Sequence, residues 1–169
     1  ISDNGIGMNR DELVESLGTI AKSGTQAFIK SLEGKDDKDI QASLIGQFGV
    51  GFYSAFMVAD NINVISKKAG SSDAWSWKSD GKGSFEIDEA QKGTVGTEVI
   101  LNISDKDKEY LDSDRIETIV KKYSDHIAQP VILKSQKKGE EEKVLNNASA
   151  LWSRDKKDIT DDQYKEFYH

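Results

Sequence analysis

The sequence predicts an α+β fold, a sandwich of helices on an antiparallel sheet, and three observations predict it. Four short runs, Ile62–Ser66, Ala74–Lys78, Ser84–Ile87 and Thr97–Ile103, show period-two alternation or β-branched enrichment, and glycine-bearing turns separate them. Helix signatures lie on both sides of these runs, one opening at Asn9 and one between Asp112 and Gln129. At 169 residues and 36% hydrophobic content, the chain is long enough for one domain with a good core.

Taken in order, Asn9 stands as an N-cap with Glu12 three residues on, and Leu13, Val14 and Leu17 follow on one face before Gly18. This pattern predicts a helix over 10–17. Residues 18–45 turn polar and glycine-containing around a short apolar stretch, Ala27-Phe28-Ile29 with Leu32, and read as a mobile lid. Gly51 opens an apolar run from Phe52 to Ala59 of helical length, after which the four strands begin. In the later segment Ile116, Ile119, Val120, Tyr123 and Ile127 recur at spacings of three and four, which predicts an amphipathic helix over 112–129. Pro130, the only proline, ends it, and Val131-Ile132-Leu133 reads as one more strand. Lys134 to Lys143 is charged and free of apolar residues, the signature of a domain boundary. Beyond it, Leu151-Trp152 and the aromatics Tyr164, Phe167 and Tyr168 need a partner surface, so a second domain is expected to start there.

Composition removes several classes of function. Lys+Arg number 23 against 30 Asp+Glu, a net charge of −7 spread along the chain, which argues against a nucleic-acid surface and makes any phosphate binding local. There is no cysteine, and two histidines, His126 and His169, cannot make a zinc site between them. No apolar run approaches the roughly 20 residues of a membrane span.

Two glycine-punctuated segments carry the chemistry: Asp3-Asn4-Gly5-Ile6-Gly7-Met8 and Gly46-Gln47-Phe48-Gly49-Val50-Gly51-Phe52. Together they read as two walls of a nucleotide pocket. A buried carboxylate at Asp3, where a strand ends, can accept from an exocyclic amine such as that of adenine, while Gly5 and Gly7 let the base come close. Asn-Gly between apolar residues is also an ordinary turn signal. The second segment precedes a helical run, so its amides can bind phosphate oxygens. It is not a Walker A loop, because no Gly-Lys-Ser/Thr follows, and a tight loop packed on a sheet is the plainer reading. Lys22 can approach a phosphate as a point charge, although a lone lysine in a polar loop is more often solvated. Thr97 can place a hydroxyl on an adenine-bound water, and is equally at home in a strand without a role.

The order and spacing of Asp3–Met8, Leu17–Thr25, Gly46–Ser54 and Gly96-Thr97 resemble the nucleotide-binding domain of the heat-shock protein 90 chaperones. Tyr123–Pro130 and Ala150–Arg154 look most like the bacterial members. The resemblance covers nearly the whole chain. It implies a GHKL-type (Bergerat) fold, a two-layer sandwich in which helices cover one face of a mixed, mainly antiparallel sheet. It implies an ATP/ADP site with Mg²⁺, in which Asp3 binds the adenine amine, Gly7 and Met8 line the base pocket and Thr97 supports the same edge. Lys22 and the amides of Gly49, Val50, Gly51 and Phe52 face the phosphates, with 18–45 as the lid. Ser16 departs from the family pattern and takes no ligand role.

The implied organisation is an ATP-binding domain over 1–135, a charged linker over 136–147 and the start of a middle domain over 148–169. Because the chain opens on Ile1 inside the first motif, the domain is expected to be N-terminally truncated, its first strand and helix missing. In the family those upstream residues hold the general-base Glu and an Asn that helps hold Mg²⁺. No catalytic or metal residue is therefore expected in this chain, and slow ATP hydrolysis is expected of the intact protein only. The resemblance further implies non-native client proteins as partners, a homodimer through a C-terminal region, no nucleic acid, no membrane, and a cytoplasmic location. The alternatives are another enzyme of the same ATP fold, a histidine kinase, a type II topoisomerase subunit or a mismatch-repair ATPase, and a non-catalytic binding remnant. Gly18–Thr25 and Leu151–Arg154 favour the chaperone.

Overall fold

A computed structural model describes residues 1–19, 46, 48–134 and 142–147. The chain forms two compact units, Ile1–Asp107 and Lys108–His169.

In the first unit, helix α1 spans Arg10–Leu17, the bounds that the capping signal predicts. Asn9 Oδ1 accepts the Glu12 N–H at 2.9 Å and Glu12 Oε2 accepts the Asn9 N–H at 2.9 Å, so two of the helix's orphan donors are satisfied reciprocally. Leu13 and Leu17 are its buried residues. The run opened by Gly51 is a 3₁₀ helix, Gly51–Met57, rather than a helix reaching Ala59. Its bonds close at i+3, Tyr53 N–H to the Val50 carbonyl and Val58 N–H to that of Ala55, both at 3.2 Å, and Ala59 is drawn instead into the first strand.

Four antiparallel strands follow: β1 (Ala59–Lys67), β2 (Ala74–Ser79), β3 (Glu86–Ala90) and β4 (Gly96–Ile103), in the order β3-β2-β1-β4. The third begins two residues later than the sequence suggests. The Ser84 carbonyl accepts the Ser79 hydroxyl at 2.6 Å, holding that residue in the preceding turn. Register aligns Val64 with Val99 and Trp77, and Ser66 with Thr97 and Trp75, so these side chains share one face. The helices α1 and Gly51–Met57 pack on this face, enclosing Leu13, Leu17, Ala59, Ile62, Val64 and Trp77. Trp77 is the centre of it, edge-on to Phe52 at 5.6 Å and stacked with Phe85 at 5.9 Å. Helices on one face of an antiparallel sheet make the expected α+β architecture.

The second unit departs further from expectation. Helix α2, Ser113–Ser124, is capped by Asp112 Oδ1, which accepts from Asp114 N–H at 2.9 Å and Arg115 N–H at 3.0 Å. It ends at Ser124, not Gln129. The buried Asn146 side chain takes over the backbone beyond, donating to the carbonyls of Ile127 (2.9 Å) and Gln129 (3.0 Å) and accepting from Val131 N–H (2.7 Å). Pro130 is therefore not what stops the helix. Strand β5 (Ile132–Leu133) pairs antiparallel with β6 (Lys143–Val144) in a separate two-stranded sheet and does not join the main one. The end of the expected linker is thus structured, with Leu145 and Asn146 buried, while 135–141 and 148–169 lie outside the described residues. No helix among the described residues is long and apolar enough to cross a membrane.

Glu117 of α2 is paired with Lys121 at 2.8 Å and with Lys143 at 2.6 Å. Hydrogen bonds first from Lys121 and then from Lys143 lower its carboxyl from the ordinary 4.5 to about 2. A depressed carboxylate stabilises the fold fully above its unfolded value, and that contribution disappears as pH falls from about 4.5 towards about 2. A carbon-detected NMR titration is expected to place the Glu117 midpoint near 2, moving upward in Lys121→Ala. An unshifted carboxyl in the native chain would contradict the pairing.

Candidate functional site

The first three residues lie antiparallel along β4. Val99 N–H donates to the Ile1 carbonyl at 2.7 Å, Asp3 N–H donates to the Thr97 carbonyl at 2.8 Å, and Ser2 stands opposite Glu98. Asp3 therefore sits at a strand end beside Thr97, as its place before a glycine turn suggests. Its Oδ1 accepts the Thr97 N–H at 3.1 Å and the Gly5 N–H at 2.9 Å, closing the turn. The side chain is exposed rather than buried, so the expected buried carboxylate is corrected. Its strand has only β4 as a neighbour among the described residues, and Oδ2 has no protein partner among them.

Thr97 in turn meets β1. Its hydroxyl lies 2.9 Å from that of Ser66, a fully buried residue whose Oγ accepts the Met8 N–H at 2.8 Å. Ser66 thus joins Met8 to Thr97, and Thr97 to Asp3, a connection the sequence analysis missed. The signal was a serine among the buried positions of a strand whose others are Ala59, Ile62 and Val64.

Two glycines make these approaches possible. Gly7 has φ +66°, and a Cβ there would stand 1.9 Å from the Lys67 carbonyl oxygen. Gly96 has φ +119°, and its Cβ would stand 2.2 Å from the Asp3 carbonyl oxygen. The space that a Gly7 Cβ would take is filled by the chain's own strand. The motif is further held by Ala69 N–H donating to the Ile6 carbonyl at 2.7 Å and by a Glu12–Lys68 ion pair across to α1. That pair, with the Asn9 backbone bond, lowers the Glu12 carboxyl below its usual range.

In the glycine loop, Gly46 and Gly49 have φ of +82° and +63°, and nothing lies within 4 Å of a Cβ built on Gly51. Phe48 and Val50 are exposed. The Phe52 ring packs into the core, leaving only its amide for a ligand. Gly51 begins a seven-residue 3₁₀ helix rather than an α-helix, and the amides of the loop and of this first turn are what the segment offers an anion. Tyr53 ties this segment to α1 by donating its hydroxyl to the Leu17 carbonyl at 3.1 Å, and burial pushes the phenol pKa up.

The structure thus brings Asp3, Gly7, Met8 and Thr97 together. Met8 and Phe52 pack against the same core cluster, but among the described residues no hydrogen bond joins Gly49–Phe52 to Asp3 or Thr97. Lys22 and lid residues 20–45 lie outside the described residues. Two surface depressions, about 400 Å³ beside Ala74 and Lys92 and about 200 Å³ beside Asn61 and Lys78, include none of the expected site residues.

An antiparallel sheet covered on one face, with an aspartate and a threonine side by side at its edge and a glycine loop anchored on the same core by Phe52, is an arrangement that suits an ATP-binding domain. A family profile described as "Histidine kinase-, DNA gyrase B-, and HSP90-like ATPase" matches residues 1–90, more than half of the chain, and the chain belongs to that family. Within it, the chain is 55% identical over 169 residues to chaperone protein HtpG of Paramagnetospirillum magneticum, a match covering 100% of this chain and 26% of that protein. It is also 55% identical over 170 residues to HtpG of Rhodospirillum rubrum (100% and 27%), and 50% identical over 182 residues to HtpG of Pseudoalteromonas translucida (99% and 28%). The chain spans about a quarter of the length of these curated relatives.

Proposed function

We propose that this chain is a nucleotide-binding part of an ATP-dependent chaperone of the heat-shock protein 90 type, binding ATP and ADP. The observation that carries the reading is the pairing of Asp3 with Thr97: Oδ1 is used by the protein's own amides, and Oδ2 remains to accept from the exocyclic amine of adenine. Gly7 and Met8 form the wall beside the base, while the amides of Gly49, Val50, Gly51 and Phe52, with Lys22, take the phosphates and residues 18–45 close over them. Mg²⁺ accompanies the phosphates. Among the described residues no group of three His, Cys, Asp or Glu could hold a metal ion, so none is assigned to it and no step is routed through it.

None of the assigned residues is a general base for water. Hydrolysis, the driving of a chaperone cycle on non-native proteins, and homodimerisation are assigned to the longer protein in the cytoplasm, and this chain alone binds without turning over. Residues 1–135 form the nucleotide domain in this reading, 136–147 a linker and 148–169 the start of the next domain.

Amide chemical-shift mapping tests the site. ADP with Mg²⁺ is expected to shift Asp3, Gly5, Met8, Thr97 and Gly49–Phe52, with GDP much weaker. Shifts confined to the depressions beside Lys92 or Lys78 would overturn the assignment.

A further inference from the structure

We propose that Ser66 is a positioning residue: its hydroxyl fixes the direction of the Thr97 O–H, and through it sets the site's preference for an adenine edge over a hypoxanthine edge. This inference rests on the nucleotide reading above and deepens it. Ser66 is fully buried on a face otherwise built from Ile62, Val64, Val99 and Trp77, where a hydroxyl costs free energy unless it is bonded.

Its bonds can be counted. One Ser66 lone pair accepts the Met8 N–H at 2.8 Å. Its single proton has two acceptors, Thr97 Oγ1 at 2.9 Å and the Gly96 carbonyl at 3.4 Å. The 3.4 Å contact is beyond the usual range of an O–H···O bond; in the 2.9 Å contact either hydroxyl can donate, and we assign the donor role to Ser66. With Ser66 as donor, Thr97 Oγ1 accepts that bond and keeps its own proton for the ligand side, as a donor on the residue whose backbone N–H is held by the Asp3 carboxylate. A donor beside an acceptor is complementary to adenine, whose ring N1 accepts and whose exocyclic amine donates. Hypoxanthine reverses both, with N1–H donating and O6 accepting. Without the Ser66 hydroxyl, the Thr97 O–H loses its fixed direction and Met8 loses its acceptor.

The test is calorimetry of ADP and IDP, each with Mg²⁺, on the native chain, Ser66→Ala, Ser66→Cys and Ser66→Thr. Alanine leaves the Oγ space empty and cysteine slightly overfills it with an atom that bonds only weakly, so a loss common to both reports the hydrogen bond rather than the packing. The expected result is an ADP-over-IDP preference lowered about tenfold in both the Ala and Cys variants, and restored in the Thr variant. An unchanged preference in the Cys variant overturns the proposal. A second readout needs no ligand: three-bond couplings to the Thr97 methyl are expected to report one rotamer in the native chain and an average in Ser66→Cys. Averaging already in the native chain overturns the positioning role. If the native chain binds neither nucleotide, the functional reading fails and the specificity claim with it, while the couplings still decide whether Ser66 holds Thr97.

Discussion

Gly7→Ala is expected to destabilise the Ile1–Asp107 unit by about 3 kcal/mol or more. Two costs combine. The backbone holds φ at +66°, where alanine is strained, and the added methyl would lie 1.9 Å from the Lys67 carbonyl oxygen and 2.6 Å from its carbon. Neither neighbour can step aside like the tip of a flexible side chain. Lys67 belongs to a central strand and pairs with Ala74 on one side and Gly96 on the other, so moving it breaks both ladders. Against a total stability of roughly 5–15 kcal/mol, such a loss is a large share. Urea unfolding is the measurement, and Gly51→Ala the control, since nothing lies within 4 Å of its added carbon. Equal midpoints for the two variants would contradict the close approach.

Leu13→Ala is expected to cost about 3 kcal/mol, the scale of a leucine truncated inside a core that collapses only partly. Leu13 is fully buried and belongs to the cluster with Ile62, Val64 and Trp77. Only Leu13 and Leu17 are buried on α1, so the eight-residue helix is joined to the sheet mainly by these two side chains. The loss would extend to the site, because α1 carries Glu12, the ion-pair partner of Lys68 beside the Gly7 turn. Denaturant unfolding followed by the near-ultraviolet signal of the tryptophans, Trp77 among them in the core, reads the effect. The half-buried Val14, substituted in the same way, is expected to cost clearly less, and equal losses would contradict this view of the helix face.

What could be read in the sequence was what is decided locally. The capping box needs only residues three apart, and it placed α1 to the residue. Alternation placed β1, β2 and β4, and the position of Asp3 before a glycine turn correctly put it at a strand end. What failed was decided at a distance. The end of α2 depends on Asn146, which reaches back 19 residues to Ile127, and no pattern around Gln129 announces it. The role of Ser66 depends on partners 58 and 31 residues away, Met8 and Thr97. Gly7 shows in the sequence only that something comes close; that the Lys67 carbonyl lies where its Cβ would stand is decided by a strand 60 residues away. The apolar run after Gly51 could be read as helical but not as 3₁₀, because aromatic packing of Phe52 against Trp77 and the recruitment of Ala59 into β1 are tertiary effects.

The central claim is that Asp3 and Thr97 form one edge of an adenine site, and isothermal calorimetry of ADP with Mg²⁺, on this chain and on Asp3→Asn, tests it most directly. The asparagine oxygen can still accept from the Thr97 and Gly5 amides, so the turn is expected to survive while the charge and the second carboxylate oxygen are lost. The account predicts saturable binding to the native chain, weakened about 100-fold in the variant, the scale of one charge-assisted hydrogen bond. No binding by the native chain, or equal affinity in the two, would contradict it.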